Sequence, residues 1–267
     1  MPLYGDLDRV AKGLAAIGIG PEDPIKPEQL FPLDQWYYQG TEAVRRAAQH
    51  LGLNSSCRVL DVGSGIGGPA RFLAHTVGCQ VVALELQPRL HEIAADLTRR
   101  CGLTELVTHE CGDVLVHPLP EAAFDAVVSW LVVHHIPDRP GVCARLVRAL
   151  RPGGGCYIED LYVRSVLSAE DLQGVRTVLV GNTVTGIAEF AAELRAAGFV
   201  NVGETDLTSD TKAFVAERML GWQRDFDDNS RRYGIATCTA LGAFYATVAR
   251  LFGSGSLGCV SLTANRP

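Results

Sequence analysis

The 267-residue chain has no run of lysines and arginines, no closely spaced cysteine pair and no apolar stretch that reads as a membrane span. Each absence removes a class of function. A net charge of −6 and a pI near 5.6 give the chain as a whole no attraction for polyanions, so nucleic acid and anionic membrane are not expected partners. The densest basic clusters, Arg99-Arg100 and Arg231-Arg232, are ordinary surface pairs. Eight cysteines without a C-x-x-C spacing read as small buried hydrophobes in a reducing compartment rather than a zinc or disulfide frame. The first thirty residues lack a basic start followed by an apolar core, and with no long apolar run a soluble, cytoplasmic protein is expected, as monomer or homodimer.

What the chain does have is an apolar strand that runs into glycines: Val59-Leu60-Asp61-Val62-Gly63-Ser64-Gly65-Ile66-Gly67-Gly68-Pro69-Ala70. Glycines at this spacing let a ligand approach backbone closely and deliver it to the N-terminal end of the next helix. Gly63, Gly65 and Gly68 also spell the dinucleotide fingerprint G-x-G-x-x-G. Asp61 separates the two readings, because a carboxylate two residues before the first glycine repels a pyrophosphate and favours a cation. S-adenosyl-L-methionine carries a sulfonium and an ammonium and no phosphate.

Later markers follow in order. Val81–Glu85 is a second strand ending in an acid whose carboxylate can accept from ribose hydroxyls, with Leu86 beside it. Gly112, Asp113 and Val114 follow a short third strand, where the acid can meet an adenine amino group. Phe124–Trp130 is a fourth strand, followed by His134 and His135, and Cys156–Asp160 is a fifth.

This set, spanning roughly residues 57 to 160, resembles the class I S-adenosylmethionine-dependent methyltransferases. Asp34–Ala43 and the histidine after the fourth strand make it most similar to the small-molecule branch that contains the sarcosine/dimethylglycine and phosphoethanolamine N-methyltransferases. The resemblance implies donor contacts from Asp61, Gly63, Ser64, Gly65 and Gly67, a ribose acid at Glu85 and an adenine acid at Asp113. Gln35 stands where phosphobase members carry tyrosine, which weighs against a phosphobase acceptor.

Strands and helices alternating from Arg58 onward imply right-handed βαβ units. The expected fold is α/β: a Rossmann-like, seven-stranded, mostly parallel sheet with helices on both faces and a helical cap. Residues 1–40 form an N-terminal cap segment, with prolines making a stiff connector after a short helix near Leu7–Ile17. Residues 41–267 form the methyltransferase domain, with cap insertions around 162–185 and 209–232. The last strand, Leu257–Leu262, is expected to run antiparallel at or near the sheet edge.

Methyl transfer from a sulfonium is an in-line displacement, so the enzyme's task is to position an acceptor lone pair. An amine acceptor must attack as free base, and its ordinary pKa of roughly 10 leaves it protonated at neutral pH. His135 is the candidate base, since it follows the fourth strand at the carboxyl edge of the sheet; His134 should point elsewhere if the backbone is extended there. As a metal site the pair lacks a third ligand at a recognisable spacing. Trp36, Tyr37 and Tyr38 either wall the acceptor pocket or pack between cap and sheet, and Trp130 brackets adenine, lines the acceptor pocket or packs in the core. Glu159 or Asp160 can fix a cationic acceptor. The expected function is methylation of a small-molecule acceptor, at an amine nitrogen in the leading reading; an oxygen or carbon acceptor and an NAD(P)-dependent oxidoreductase are the alternatives.

Overall fold

The computed structural model describes residues 7–267. Residues 1–6 of the expected cap segment lie outside the described residues.

Seven strands form one sheet: β1 (Arg58–Val62), β2 (Gln80–Glu85), β3 (Val107–Cys111), β4 (Phe124–Trp130), β5 (Leu150–Val163), β6 (Val200–Asp206) and β7 (Leu257–Asn265). Their order is β3-β2-β1-β4-β5-β7-β6. The first five pair in parallel, while β7 lies antiparallel between β5 and β6, one place in from the edge. The order reverses between β1 and β4, and the carboxyl ends of strands at such a reversal are where open α/β sheets bind ligands. β5 is longer than the expected five residues because β7 pairs with it from Gly155 to Val163.

β1 is buried on both faces, as a central parallel strand must be. Leu60 and Val62 point to one side, into the core cluster that also holds Val142 and Leu146 of α6 (Arg139–Ala149) and Phe190 and Leu194 of α8 (Ile187–Ala196). Val59 points to the other, against Ala43, Val44 and Ala47 of α3 (Thr41–His50) and Leu73 of α4 (Gly68–Thr76). This alternation along one strand is what puts helices on both faces.

The N-terminal segment differs from expectation. After α1 (Arg9–Ala16), the proline-rich stretch contains a helix, α2 (Pro27–Asp34), in place of an irregular connector. Pro27 opens it, where the missing N–H costs nothing, and Leu30 buries completely among Val10, Leu14 and Leu90, the last from α5 (Pro88–Arg100). Pro32 is tolerated in the last turn of so short a helix.

Residues 162–185 carry α7 (Ala169–Thr177), and the charged segment 209–232 is two helices, α9 (Thr208–Arg224) and α10 (Phe226–Tyr233). The following α11 (Ile235–Gly253) corrects the reading that no apolar run approaches a membrane span: at 19 residues it is long and apolar enough to cross one. One side of it is occupied by the protein, with Leu241, Phe244, Val248, Leu251 and Phe252 buried beside Val215 of α9 and Leu161 of β5.

Candidate active site

A cleft of about 790 Å³ opens at the carboxyl ends of β1 and β4. Its floor is the turn after β1. The N–H groups of Gly63 and Ser64 both donate to the carbonyl of Leu84, at 2.8 and 3.0 Å, which ties the turn to β2. Gly63 has no room for a side chain, since a Cβ there would sit 2.3 Å from Val132. Gly65 differs: its φ of +56° suits glycine, a Cβ would meet nothing within 4 Å, and its N–H donates 2.9 Å to Glu85 Oε2.

Asp61 is buried at the root of this turn, and burial, with the Glu85 charge as a lesser cause, pushes its carboxyl up to about 8. Among the described residues its Oδ2 has no hydrogen-bond partner, nor do the buried Ser64 Oγ and Trp130 Nε1. All three residues line the cleft. Buried polar atoms are normally satisfied, so a carboxylate oxygen, a hydroxyl and an indole N–H left open around one cavity suit a ligand bearing both donors and acceptors. The donor molecule implied by the sequence fits that set, and with Asp61 beside it a positively charged one fits best.

Glu85 is also buried, and burial raises its pKa against the pull of the Gln87 and Gly65 N–H groups. Exposed Leu86 follows it, and Gly112 N–H donates 2.9 Å to the Glu85 carbonyl, bringing Gly112, Asp113 and buried Val114 alongside. Asp113 Oδ1 accepts from Leu115 N–H at 2.9 Å. Glu85, Leu86 and Gly112–Val114 stand beside the cleft rather than in its lining, and so does Gly67, whose missing Cβ makes room for Arg71 and His109.

The aromatic run forms one wall. Tyr37 stacks on Trp130 with ring centroids 5.7 Å apart, Tyr38 meets Phe252 edge-on at 5.6 Å, and Trp36 Nε1 donates 2.9 Å to the Leu33 carbonyl. Trp36, Tyr37, Tyr38 and Trp130 all line the cleft, so these side chains wall the cavity and pack against the cap together. Gln35 does not line it; it accepts from the Tyr37 hydroxyl and donates 2.6 Å to Asp34 Oδ1.

Beyond β4 the chain makes a tight 3₁₀ turn at Val133–His135. The expectation that His134 points away from its neighbour fails here, because a 3₁₀ turn does not alternate side chains as an extended strand does. Both imidazoles line the cleft, their centroids 3.9 Å apart. His134 Nδ1 lies 2.5 Å from Asp160 Oδ1, and the His134 N–H donates 2.9 Å to Asp160 Oδ2. Burial alone would raise the Asp160 carboxyl; the His134 imidazole and the Leu161 and His134 N–H groups outweigh it and hold it low. His135 Nδ1 donates 3.0 Å to the Val180 carbonyl, since a carbonyl only accepts. Burial, and after it the neighbouring His134 imidazole, drag His135 down to about 4, so it is neutral at pH 7. The loop that carries Val180 is fixed from the other side, where Asn182 and Thr183 N–H groups donate to the His134 carbonyl.

Glu159 and Asp160 are both engaged. Glu159 takes Arg46 Nη2 at 2.8 Å and the Tyr157 hydroxyl at 2.7 Å, while Asp160 serves His134, which leaves neither to fix a cationic acceptor. Sequence reasoning missed three features. Asp34 lies under the turn in a fully buried pair with Arg71, Oδ2 to Nη2 2.8 Å, and Arg71 also donates 2.6 Å to the Ile66 carbonyl. Arg218 of α9 reaches the cleft and donates 3.0 Å to the Tyr37 carbonyl. Phe244 and Leu179 complete the apolar side.

Residues 60–158 match the family model described as a methyltransferase domain. The 27-O-demethylrifamycin SV methyltransferase of Amycolatopsis mediterranei is 32% identical over 233 residues, covering 85% of this chain and 84% of that protein. Phosphoethanolamine N-methyltransferase 1 of Zea mays is 28% identical over 204 residues, covering 76% of this chain but 40% of the relative. In fold, the chain is similar to Haemonchus contortus phosphoethanolamine N-methyltransferase 2, solved with phosphomonomethylethanolamine and S-adenosylhomocysteine, with a TM-score of 0.83 at 21% identity, covering 90% of this chain and 56% of that one.

Proposed function

The chain belongs to the S-adenosylmethionine-dependent methyltransferases, and from that premise we propose that it methylates a hydroxyl oxygen of a largely apolar small molecule, with His134, oriented by Asp160, as the base that removes the hydroxyl proton. When bound, S-adenosylmethionine supplies an electrophilic methyl group on a cationic sulfur. The residues that would hold it are Asp61, Ser64 and the backbone of Gly63 and Gly65, with Glu85 at the ribose and Leu86, Gly112, Asp113 and Val114 around the base.

The observation that carries the reading is His134 in the cleft wall with the buried Asp160 carboxylate paired to its Nδ1. An ionised Asp160 accepts the Nδ1 proton and fixes the tautomer, so the Nε2 lone pair of His134 is the one available to a substrate. Asp160 also stabilises the imidazolium that proton removal creates. A hydroxyl needs such help to become a good nucleophile; positioned general-base catalysis contributes about 10²–10⁴-fold. His135, neutral and with its Nδ1 tied to the Val180 carbonyl, acts as a wall of the acceptor pocket.

The sequence favours an amine acceptor, and the aromatic wall of Trp36, Tyr37 and Trp130 supports that second reading because a cation can sit against ring faces. Against it stands the engagement of Glu159 and Asp160, which leaves a protonated amine without a carboxylate at the acceptor end. The 27-O-demethylrifamycin SV methyltransferase, by its name a methyltransferase of an O-demethyl compound, adds support to the oxygen reading.

The test is S-adenosylhomocysteine release across matched phenols, alcohols and amines, repeated with His134→Ala and Asp160→Asn. Hydroxyl acceptors should turn over, and each substitution should lower kcat by about 10²-fold or more without weakening donor binding. Exclusive turnover of amines, or full activity in His134→Ala, refutes the oxygen reading.

A further inference from the structure

A second chamber of about 640 Å³ adjoins the cleft, and Trp36 and Arg218 line both. Its walls come from elements distant in sequence: Arg9 on α1, Trp222 on α9, Tyr233 on α10 and Tyr245 on α11. Trp222 and Tyr245 meet edge-on at 5.3 Å, and Trp222 Nε1 donates 3.1 Å to the Cys238 carbonyl, so the aromatic lining is held in place.

Arg218 stands at the junction with an unusual set of partners. Its guanidinium lies 4.4 Å from the Phe214 ring centre and 5.8 Å from that of Tyr245, and its hydrogen bond goes to the Tyr37 carbonyl. Among the described residues no carboxylate pairs with it. Burial lowers its pKa from the ordinary guanidinium value, as expected of a cation walled by rings. A guanidinium has five donors and this one has used a single backbone acceptor. Arg218 is half-buried and lines both cavities where they join, so its remaining donors stand open to an acceptor group of a ligand lying there. Arg9, its guanidinium 3.7 Å over the Trp36 ring, adds positive charge to the same wall.

We propose that the methyl acceptor is an elongated aromatic or polycyclic anion that spans both chambers, its single delocalised negative group, a carboxylate or phenolate, held by Arg218 while its far end lies against Trp222 and Tyr245. The proposal rests on the methyltransferase reading only in calling this ligand the acceptor. A diphosphate is disfavoured, because Arg218 and Arg9 each lie against a ring face and no cluster of cations converges on one point, as so concentrated a charge needs.

The test uses two fluorescent probes of like body, the anionic 8-anilinonaphthalene-1-sulfonate and the neutral N-phenyl-1-naphthylamine, titrated into protein saturated with S-adenosylhomocysteine. The anion should bind about ten- to a hundred-fold more tightly than the neutral probe, the range of a charge-assisted hydrogen bond. Arg218→Gln should bring the two affinities within about two-fold of each other by weakening the anion alone, Arg218→Lys should restore part of the difference, and Trp222→Ala should weaken both probes. S-adenosylhomocysteine affinity, measured in parallel by calorimetry, should be unchanged by Arg218→Gln and tells failure of the methyltransferase reading from failure of this one. Equal binding of the two probes in the unmodified protein, no binding of the anion, or an anion affinity indifferent to Arg218→Gln each overturns the proposal.

Discussion

Replacing Asp61 by asparagine removes the charge at the donor end while keeping the shape, and the consequences for stability and binding have opposite signs. Burial holds the Asp61 carboxyl at about 8 in the folded protein, well above the roughly 3.9 of an unfolded chain. A group whose pKa is raised on folding stabilises the fold relative to its ionised form only while it stays protonated. Its contribution is complete below about pH 4 and is lost as pH climbs towards 8. At pH 7 the ligand-free protein is therefore less stable than its Asp61→Asn variant by about 4 kcal/mol, or roughly 8 °C in Tm for a chain of this length. At pH 4 the two should melt together.

Donor binding should show the reverse. At pH 7 about one Asp61 carboxyl in ten is ionised, and a cationic ligand must first draw off the proton, so ionisation of Asp61 by itself should tighten Kd about ten-fold between pH 7 and pH 9. Calorimetric titration of S-adenosylmethionine across that range into both proteins isolates the effect, because the ligand's own ammonium titrates identically in each. The variant should bind far more weakly and lose the Asp61 share of the slope. A variant that is less stable at both pH values, or that binds the donor with undiminished affinity and slope, refutes the argument.

Two further substitutions probe the frame under the turn. Gly63→Ala combines a positive φ of 71° with a Cβ driven into Val132, and should cost about 1–3 kcal/mol in urea unfolding, with part recovered by adding Val132→Ala. Asp34→Ala leaves the Arg71 guanidinium buried without its carboxylate and should cost about 3–5 kcal/mol by the same measurement; a cost below 1 kcal/mol would mean the Ile66 carbonyl and neighbouring groups already satisfy Arg71.

The parts of the site that were legible in the sequence are those whose cause is local. Asp61, Ser64, Gly65 and Glu85 sit on a strand, a turn and the next strand, and the spacing that makes a βαβ unit also fixes where they emerge. The Trp36–Tyr38 wall was legible for a similar reason, as a run of rings just ahead of the first helix of the domain. What could not be read depends on partners far along the chain. Asp160 meets His134 across 26 residues, Asp34 meets Arg71 across 37, and Arg218 meets Tyr37 across 181. Glu159 and Asp160 look alike in sequence as acids near the end of a strand, yet one is absorbed by Arg46 and Tyr157 and the other by an imidazole. The local misreading within the site, an extended backbone at His134, arose because nothing in Val132-Val133-His134-His135 announces a 3₁₀ turn, and its β-branched residues favour a strand.

These long-range partners give the cavity a polarity that no single motif contains. Asp61 lies at the turn, His134 in the wall with Asp160 behind it, and Arg218 at the opening to the second chamber. A cationic donor is attracted to the first and repelled by the last, while an anionic acceptor meets the opposite pair of forces, so each is discouraged from the other's place by charge as well as by shape. The same ordering gives the acceptor's proton a destination: His134 can take it because Asp160 behind the ring is already ionised, whereas Asp61, held protonated near neutrality by its burial, is a poor competitor until a cation draws that proton away. Reversing one end of this axis is therefore a sharper perturbation than neutralising it. Arg218→Glu should turn the preference between the anionic and neutral probes around while leaving the turn after β1 intact, and an unchanged preference would mean that the ring faces alone select the acceptor.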